Sequence, residues 1–477
     1  MPQPPHHINR FLCDRTIEMI FHCFIGTWAT LPPPKEDPRE TLSLVCRDWW
    51  ELVRHTSAFW NSIMFVPIPF ADNEVQLAIF QRYMTRSKSK PLYFSFPERD
   101  PAIKGPAHTP TDIKELVYGR ARFSIVDNII VPHIDRIRSL SCLICETDNT
   151  KFLCDIGQGL FTALETINIT FINDFEMHES AFTTRQLSKF KVFNSLPMLC
   201  DASFKIFNGV LPTDLQLPWH QMTRLNFSAT PMSLKSFVEI MQFSAPSLQN
   251  ATFEVEFDTH LLFTNPPTNQ IIMRCLQKLH VRLHNPSLYR SFWDLFHLPV
   301  LQYFWVEKTD AEDGNIWDLP TYTNLLAPSS NSLEHILFGD FGLQRLGHLR
   351  NQTLPSELEN LLEVGKNVEI LRLPLGVRIH PLTVNKIGSG GLLPRLRAFE
   401  LSSVDGRHIL SMVKKRNRIS SNSRHSQMSP ITVISLTVPY SVAVNGRTRL
   451  DKMATDLRPG CRCDLKFTRT PLVCFGI

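Results

Sequence analysis

The feature that most limits how this chain can fold is a short apolar pattern that recurs along most of its length. The pattern is an apolar residue, two residues of any kind, a second apolar residue, one of any kind and a third apolar residue. Eleven copies run from Ile137 to Ile431, so their mean spacing is about 29 residues. The copies begin at residues 137, 164, 187, 222, 248, 276, 301, 333, 368, 396 and 431.

Each copy alternates apolar residues with others, which is typical of a β-strand with one buried side. Helix-compatible stretches lie between copies, for example at residues 234–243 and 355–364. The spacing lies at the upper end of the range for leucine-rich repeats, so we predict an α/β fold in which strand, turn and helix repeat into an irregular leucine-rich-repeat-like solenoid. The alternative is a doubly wound α/β domain on one parallel sheet, which fits less well because the eleven similar strands are accompanied by no glycine-rich turn of the kind that such domains have.

The first 66 residues show a different pattern, that of short amphipathic helices. Ile17, Ile20, Phe21 and Phe24 are spaced as one face of a helix that Asp14 can cap.

A second helix is expected to begin at Pro38, because Asp37 can cap it and Glu40 lies at the third helical position, as in a capping box. A third short helix is expected at residues 58–63. Three such helices bury little and carry more aromatic residues than so small a core needs, so part of their surface is expected to contact a partner. The alternative is that all the apolar residues of the three helices are core. In the second helix these apolar residues are Leu42, Val45, Cys46, Trp49, Leu52 and Val53.

Residues 8–65 resemble the F-box, particularly that of the F-box-like proteins that are numerous in fungi. The resemblance rests on "IF" at residues 20–21, "LSLVCRDW" at residues 42–49 and "TSAFWNSI" at residues 56–63. In that family three helices bind a Skp-type adaptor, which links them to a cullin ubiquitin ligase. An F-box followed by irregular leucine-rich repeats is itself a known family arrangement.

The resemblance implies that the first two helices supply or support the adaptor-binding surface. The family usually has Leu-Pro and an acidic residue before the first helix, whereas here Leu12 is followed by Cys13 and Asp14, so a looser entry to the helix is expected. The implied adaptor-binding residues are Leu12, Ile17, Ile20, Phe21, Leu44, Val45, Cys46 and Trp49.

These patterns divide the chain into four regions. Residues 1–66 are expected to be the F-box-like module, and residues 67–130 a capping or first-repeat region. Residues 131–440 are expected to be the solenoid, and residues 441–477 a C-terminal cap or tail.

Strand residues that lie between the apolar positions are expected to share one face of the solenoid. They mix aromatic, amide and charged groups of both signs, which is typical of a protein-binding surface rather than a uniformly basic groove. Trp305 is the leading candidate because tryptophan is enriched in interface hot spots; the alternative is burial under a neighbouring loop. The candidate target-binding residues are Asn226, Thr252, His280, Tyr303, Trp305, His335, Arg372 and Glu400.

Charge constrains the partners of this chain. A net charge of +5 is small for 477 residues, and nucleic-acid-binding proteins usually concentrate basic residues on one face, so nucleic acid is not an expected partner.

One basic run, at residues 414–418, is followed by a serine-rich stretch to residue 429. We expect a solvated loop between repeats there, with a nuclear localisation signal or a phosphorylated switch as alternatives.

The sequence contains no secretory signal and no run of apolar residues long enough to span a membrane. A cytoplasmic or nuclear protein without membrane association is therefore expected. The pairs Cys142-x-x-Cys145 and Cys461-x-Cys463 lack partners at zinc-site spacing, so neither a metal nor another cofactor is expected.

Together these patterns predict the substrate-recognition subunit of a Skp–cullin–F-box ubiquitin ligase. The F-box-like module would bind the adaptor, and through it a cullin, while the solenoid would bind an unknown protein target. Ubiquitin transfer would belong to other subunits, so no catalytic residue is expected, and no nucleophile-and-base pattern is found. Outside that complex the chain is expected to be monomeric. The alternative is an F-box-like scaffold that acts outside a ligase.

Overall fold

Parallel β-strands alternate with helices in the computed structural model of this chain, so the predicted α/β class is confirmed. The chain divides into two compact units, Met1–Pro218 and Trp219–Ile477. None of the described helices is long and apolar enough to cross a membrane. The described residues are 12–31, 33–65, 73–96, 131–145, 158–172, 191–206, 212–257, 270–284, 291–309, 317–341, 354–373, 377, 379–402, 406–422, 428–439 and 447–468.

The described part of the first unit contains four α-helices and six β-strands. The helices are α1 (Asp14–Ile25), α2 (Pro38–Ser43), α3 (Arg47–His55) and α4 (Asn73–Ser87), and the strands are β1 (Ala29–Leu31), β2 (Ser62–Phe65), β3 (Leu92–Ser95), β4 (Ile137–Cys145), β5 (Thr166–Ile172) and β6 (Asp201–Lys205). Each strand runs parallel to the next one along the chain. The sheet therefore begins within the region that was expected to be helical only.

Two of the helices predicted near the N-terminus differ from those observed. The predicted second helix is broken: α2 ends at Ser43, and α3 begins after Cys46, which has extended backbone angles. The break lets each short helix turn its own apolar residue inward, Leu42 from α2 and Val53 from α3. The predicted third helix is a single 3-10 turn, Ser57–Phe59, because the residues that follow alternate between buried and half-buried positions as strand β2.

The described part of the second unit contains six α-helices and eleven strands. The helices are α5 (Leu234–Ser244), α6 (Leu319–Leu326), α7 (Pro355–Val364), α8 (Pro381–Gly388), α9 (Gly406–Asn422) and α10 (Arg447–Leu457). The strands are β7 (Arg224–Ser233), β8 (Asn250–Glu256), β9 (Ile271–Ile272), β10 (Lys278–His284), β11 (Phe296–His297), β12 (Tyr303–Thr309), β13 (His335–Phe341), β14 (Ile370–Arg372), β15 (Ala398–Ser402), β16 (Val433–Pro439) and β17 (Arg462–Thr468).

Nine of these strands form the sheet of the second unit, in the order in which they occur along the chain; β9 and β11 pair separately. Among the described strands of this unit the order never reverses, so there is no switch point of the kind found in doubly wound domains. Successive crossovers of one hand place their helices on one face of a sheet. Accordingly, α6 packs on α7, α8 on α9 and α9 on α10.

Ten of the eleven copies of the apolar pattern coincide with strands, and their apolar residues are almost all buried. The copy that begins at residue 187 does not. Its first residues lie outside the described part of the chain, and Val192 lies in a 3-10 turn, Lys191–Phe193. The strand in this part of the chain is β6: Leu199, which precedes it, and Ala202 and Phe204 within it have the same spacing and are buried.

The basic run at residues 414–418 is helical, so the predicted loop is wrong for these residues. They lie within α9, whose inner face buries Ile409, Leu410 and Val413. Arg416 continues that inner face and is fully buried. Whether a member of the run is exposed or buried therefore depends on the side of the helix on which it lies.

Candidate functional site

An exposed apolar surface lies on the first three helices. The buried stripe of α1 is Ile17, Phe21 and Ile25, and Ile20 and Phe24 lie beside it on the same side of the helix. Yet Ile20 is 49% exposed and Phe24 is 57% exposed. The apolar stripe of α1 is thus wider than the part that the core of this unit covers.

The turn between α2 and α3 adds two more exposed apolar side chains. Leu44 is 86% exposed, the largest exposed fraction of any large apolar residue in the described part of the chain, and Val45 is 46% exposed. We call Ile20, Phe24, Leu44 and Val45 the apolar surface of the first unit. Single exposed apolar residues are common, but four on neighbouring helical elements are typical of an interaction surface.

Buried contacts hold the helices that carry this surface. The ring of Trp49 meets that of Phe21 edge-on at a centroid distance of 4.8 Å, which joins α3 to α1. Trp60 Nε1 donates a hydrogen bond of 2.8 Å to the Val53 carbonyl oxygen.

The α2 helix is held in the same way. The buried Arg39 donates from Nε to the Phe59 carbonyl oxygen at 2.9 Å and pairs with Asp37 at 3.3 Å. The apolar surface is therefore formed without a partner, because its supporting helices are fixed by the core of this unit.

The predicted adaptor-binding residues fall into two groups. Ile20, Leu44 and Val45 are exposed, as a docking surface requires. The other five lie beneath or beside them: Ile17 and Phe21 are buried, and Leu12, Cys46 and Trp49 are half-buried.

Sequence reasoning missed two exposed aromatic side chains. Phe24 was grouped with the core stripe of α1, because helical spacing does not show where the covering core ends. Trp50 is 41% exposed, and the Arg54 guanidinium lies 4.8 Å from its ring centroid. One residue along a helix is a rotation of about 100°, so Trp50 lies on a different side of α3 from Trp49.

The start of α1 differs from the expected cap. Cys13, and not Asp14, is the N-cap residue, with extended backbone angles. Its Sγ lies 3.2 Å from Thr16 Oγ1, and this hydrogen bond lowers the pKa of the Cys13 thiol. Backbone hydrogen bonds from Thr16 and Ile17 to the Cys13 carbonyl oxygen complete the first turn without the proline that the F-box pattern usually has.

Six of the eight predicted target-binding residues lie in one row across the sheet of the second unit. In a parallel sheet, residues in register stand side by side on the same face. Leu337 belongs to the row but was missed, because it is apolar. The row reads Asn226, Thr252, His280, Trp305, Leu337, Arg372 and Glu400.

The other two predicted residues, Tyr303 and His335, are in register in the adjacent row, with ring centroids 5.3 Å apart. Burial raises the pKa of Tyr303, and the nearby carboxylate of Glu307 adds to that rise. Burial also lowers the pKa of His335, which favours its neutral imidazole. The face therefore presents a neutral aromatic pair beside the central row.

Trp305 is half-buried, and one face of its indole ring is covered by His280. The two rings are stacked, 8° from parallel with centroids 3.9 Å apart. Neighbouring strands thus cover part of the indole ring while the side chain stays partly accessible.

A third row of charged residues lies one step further along the same strands. Glu254, Arg282 and Glu307 are in register there, and Gly339 follows them. Arg282 joins the two carboxylates, with Nε 3.1 Å from Glu307 and Nη1 3.5 Å from Glu254. A Cβ on Gly339 would lie 3.1 Å from Glu307 Cγ, so the glycine makes room for this network.

Two histidines of β10, two residues before and two residues after Arg282, contact the carboxylates of the charged row. His280 Nε2 lies 3.4 Å from Glu307 Oε2, and His284 Nε2 lies 2.6 Å from Glu254 Oε1. Burial alone would raise the pKa of Glu307, but the hydrogen bonds and charges of His280 and Arg282 outweigh it and leave the pKa below its ordinary value. The network was missed because the apolar pattern ends before these residues.

We call the three rows together the polar face of the second unit. Its cations and carboxylates are mostly paired with each other, so it favours a ligand that supplies aromatic and hydrogen-bonding groups over a highly charged one.

No three histidine, cysteine or acidic residues are grouped as metal ligands among the residues that the structure describes. No protein-family model matches this chain, and no curated protein matches its sequence.

Proposed function

We propose that this chain is the substrate-recognition subunit of a Skp–cullin–F-box ubiquitin ligase, acting in the cytoplasm or nucleus. The first three helices would bind a Skp-type adaptor. The strands and helices of the second unit would form a leucine-rich-repeat-like solenoid, whose polar face binds a protein target. Ubiquitin transfer would be performed by other subunits, so this chain contributes proximity and not chemistry.

The observation that carries this proposal is the apolar surface of the first unit. Exposing Ile20, Phe24, Leu44 and Val45 costs an isolated protein solubility, and covering such side chains typically contributes about 1.5–3 kcal/mol each. These residues belong to the segment that resembles the F-box. A helical docking surface for an adaptor explains both their exposure and their position in that pattern.

The polar face supports the second half of the proposal. It combines half-buried aromatic side chains, such as Trp305 and Tyr303, with paired charges of both signs, a composition typical of protein interfaces. The alternative function is an F-box-like scaffold outside a ligase, which uses the same two surfaces without a cullin.

The test is a titration of the purified full chain with a Skp-type adaptor, using Ile20→Asp and Leu44→Asp as variants. Both side chains are exposed, so the chain should fold, while each carboxylate would have to be buried against an apolar partner. We expect each variant to weaken adaptor binding by at least about tenfold.

Met19→Asp is the matched control. Met19 is 64% exposed and lies on the opposite side of α1 from the buried stripe, so its replacement should leave adaptor affinity unchanged. If the wild-type chain does not bind the adaptor, the proposal fails. If all three variants bind equally well, the adaptor uses another surface.

A further inference from the structure

Positive charge is concentrated at the C-terminal end of the second unit. The described residues from 406 to 468 contain eleven lysines and arginines but only three aspartates and no glutamate, whereas the net charge of the whole chain is only +5. The preceding α7 carries Glu357, Glu359 and Glu363. The chain as a whole is therefore nearly balanced, but this end of it is strongly basic.

Most of these cations lie on the exposed side of two packed helices. On α9, Arg407, Lys414, Lys415 and Arg418 are exposed and fall within about 100° of arc around the helix axis. The first and last of them are eleven residues apart, about 16 Å along the helix. One side of α9 is thus a continuous basic ridge.

The neighbouring α10 extends this ridge sideways. Lys414 Nζ lies 4.0 Å from Asp456 Oδ2, which brings the exposed sides of the two helices together. Exposed Arg449 and Lys452 lie on α10, and Arg458 follows its last residue. We call Arg407, Lys414, Lys415 and Arg418 of α9, Arg449 and Lys452 of α10, and Arg458 the basic face.

The chemistry of the basic face identifies the class of its partner. Among the described residues of α9 and α10 no large apolar side chain is exposed. A protein interface is anchored by apolar and aromatic side chains, and membrane-surface helices insert such side chains among the lipids, so both partners fit poorly. Phosphodiester backbones, in contrast, are bound by lysine and arginine without apolar anchors.

One further feature favours a duplex over a single strand. Single-stranded nucleic acid is usually held by exposed aromatic rings on which bases stack, and the described residues of the two helices expose none. Arginines also outnumber lysines on this face, and the planar guanidinium matches the phosphate oxygens of either kind of strand.

We propose that the basic face binds the phosphate backbone of a nucleic-acid duplex without sequence preference. The small net charge of the chain had argued against nucleic acid, but the structure collects the positive charge on one face, which is the arrangement that such binding requires. The inference is independent of the adaptor and of the polar face.

The test is fluorescence anisotropy of short labelled DNA and RNA duplexes with the full-length chain, between about 50 and 200 mM salt. We expect the logarithm of the binding constant to fall with the logarithm of salt concentration with a slope of about −4.5, as for about five phosphate contacts. The variant Arg407→Glu/Lys415→Glu/Arg418→Glu should bind at least about tenfold more weakly, with a slope smaller by about 3. Tighter binding of the DNA duplex or of the RNA duplex shows which of the two nucleic acids the basic face binds.

A triple variant with the same change of charge, Lys35→Glu/Arg82→Glu/Lys90→Glu, is the control. Its three side chains are exposed in the first unit, and we expect its duplex affinity to stay within about threefold of wild type. Circular dichroism establishes that both variants fold. The proposal is overturned if the two variants bind duplex equally well, or if poly-glutamate or phosphatidylserine-containing vesicles bind as tightly as duplex.

Discussion

The buried guanidinium of Arg416 should be a main stabilising element of the C-terminal helices and strands of the second unit. It is fully buried and joins the end of α8, the turn before β15 and the segment before β16. Burial lowers its pKa to about 10, so it remains charged at neutral pH. Its acceptors are the carbonyl oxygens of Ser429 at 2.9 Å, Ile387 at 2.9 Å, Leu393 at 2.9 Å, Pro394 at 2.8 Å and Leu396 at 3.3 Å.

Replacing Arg416 with methionine removes all five hydrogen bonds while keeping a long apolar side chain. Four N–H groups donate these bonds, because Nη2 has two hydrogens for three acceptors, and at about 1.5–3 kcal/mol each they would contribute at least about 6 kcal/mol. The substitution also removes a buried charge, whose desolvation costs several kcal/mol. We therefore expect Arg416→Met to lower the free energy of unfolding by about 3–5 kcal/mol.

The assay is urea unfolding followed by circular dichroism, with hydrogen exchange to locate the loss. The strands of the second unit pair in chain order and amide protection is lost locally, so protection should fall in β15 and β16 and persist in the distant β8 and β10. Arg418→Met is the matched control, because Arg418 lies two residues further along α9 and is exposed. We expect it to change stability by less than about 0.5 kcal/mol.

The reasoning would be refuted if Arg416→Met were within about 1 kcal/mol of wild type. It would also fail if the two substitutions destabilised the chain equally, since the exposed and the buried arginine would then be equivalent.

Two further predictions concern the two surfaces. Trp49→Ala should destabilise the first unit by about 2–3 kcal/mol in urea unfolding, because Trp49 packs on Phe21. Trp50 is exposed, so Trp50→Ala should lower the free energy of unfolding by less than about 1 kcal/mol. Equal effects of the two substitutions would contradict this packing. The pKa of Glu307 lies below its ordinary value of 4.5, so its stabilising effect is present above that pH and is lost as the pH falls below it. Wild type should therefore lose more unfolding free energy than Glu307→Gln between about pH 5 and pH 3, and parallel curves would contradict the role of the network.

Much of the fold could be predicted because the apolar spacing reflects burial directly. Residues such as Leu225 and Phe227 alternate with polar ones, and the structure buries them on the inner side of parallel strands. Because the pattern is so simple, one of its eleven copies, the one that begins at residue 187, does not mark a strand. Three apolar residues at loose spacing occur by chance, and the copy that begins at residue 187 has the same pattern as the true strand β6.

Other features depend on contacts that spacing does not encode. The break after Ser43 accompanies the burial of Leu42 and Val53, and the strand at residues 62–65 is formed by pairing with β1 and β3. The charged row of Glu254, Arg282 and Glu307 becomes visible only when three strands are placed in register. The basic run was predicted as a loop because its composition is polar, but it lies within α9, whose buried side includes Val413 and Arg416.

The most direct test of the proposed function is assembly of the full chain with a purified Skp-type adaptor and a cullin. Size-exclusion chromatography with light scattering should show a single complex that contains one copy of each. If the adaptor joins this chain but the cullin stays apart, the scaffold function outside a ligase is favoured. If the chain elutes alone while adaptor and cullin associate, the central proposal is contradicted.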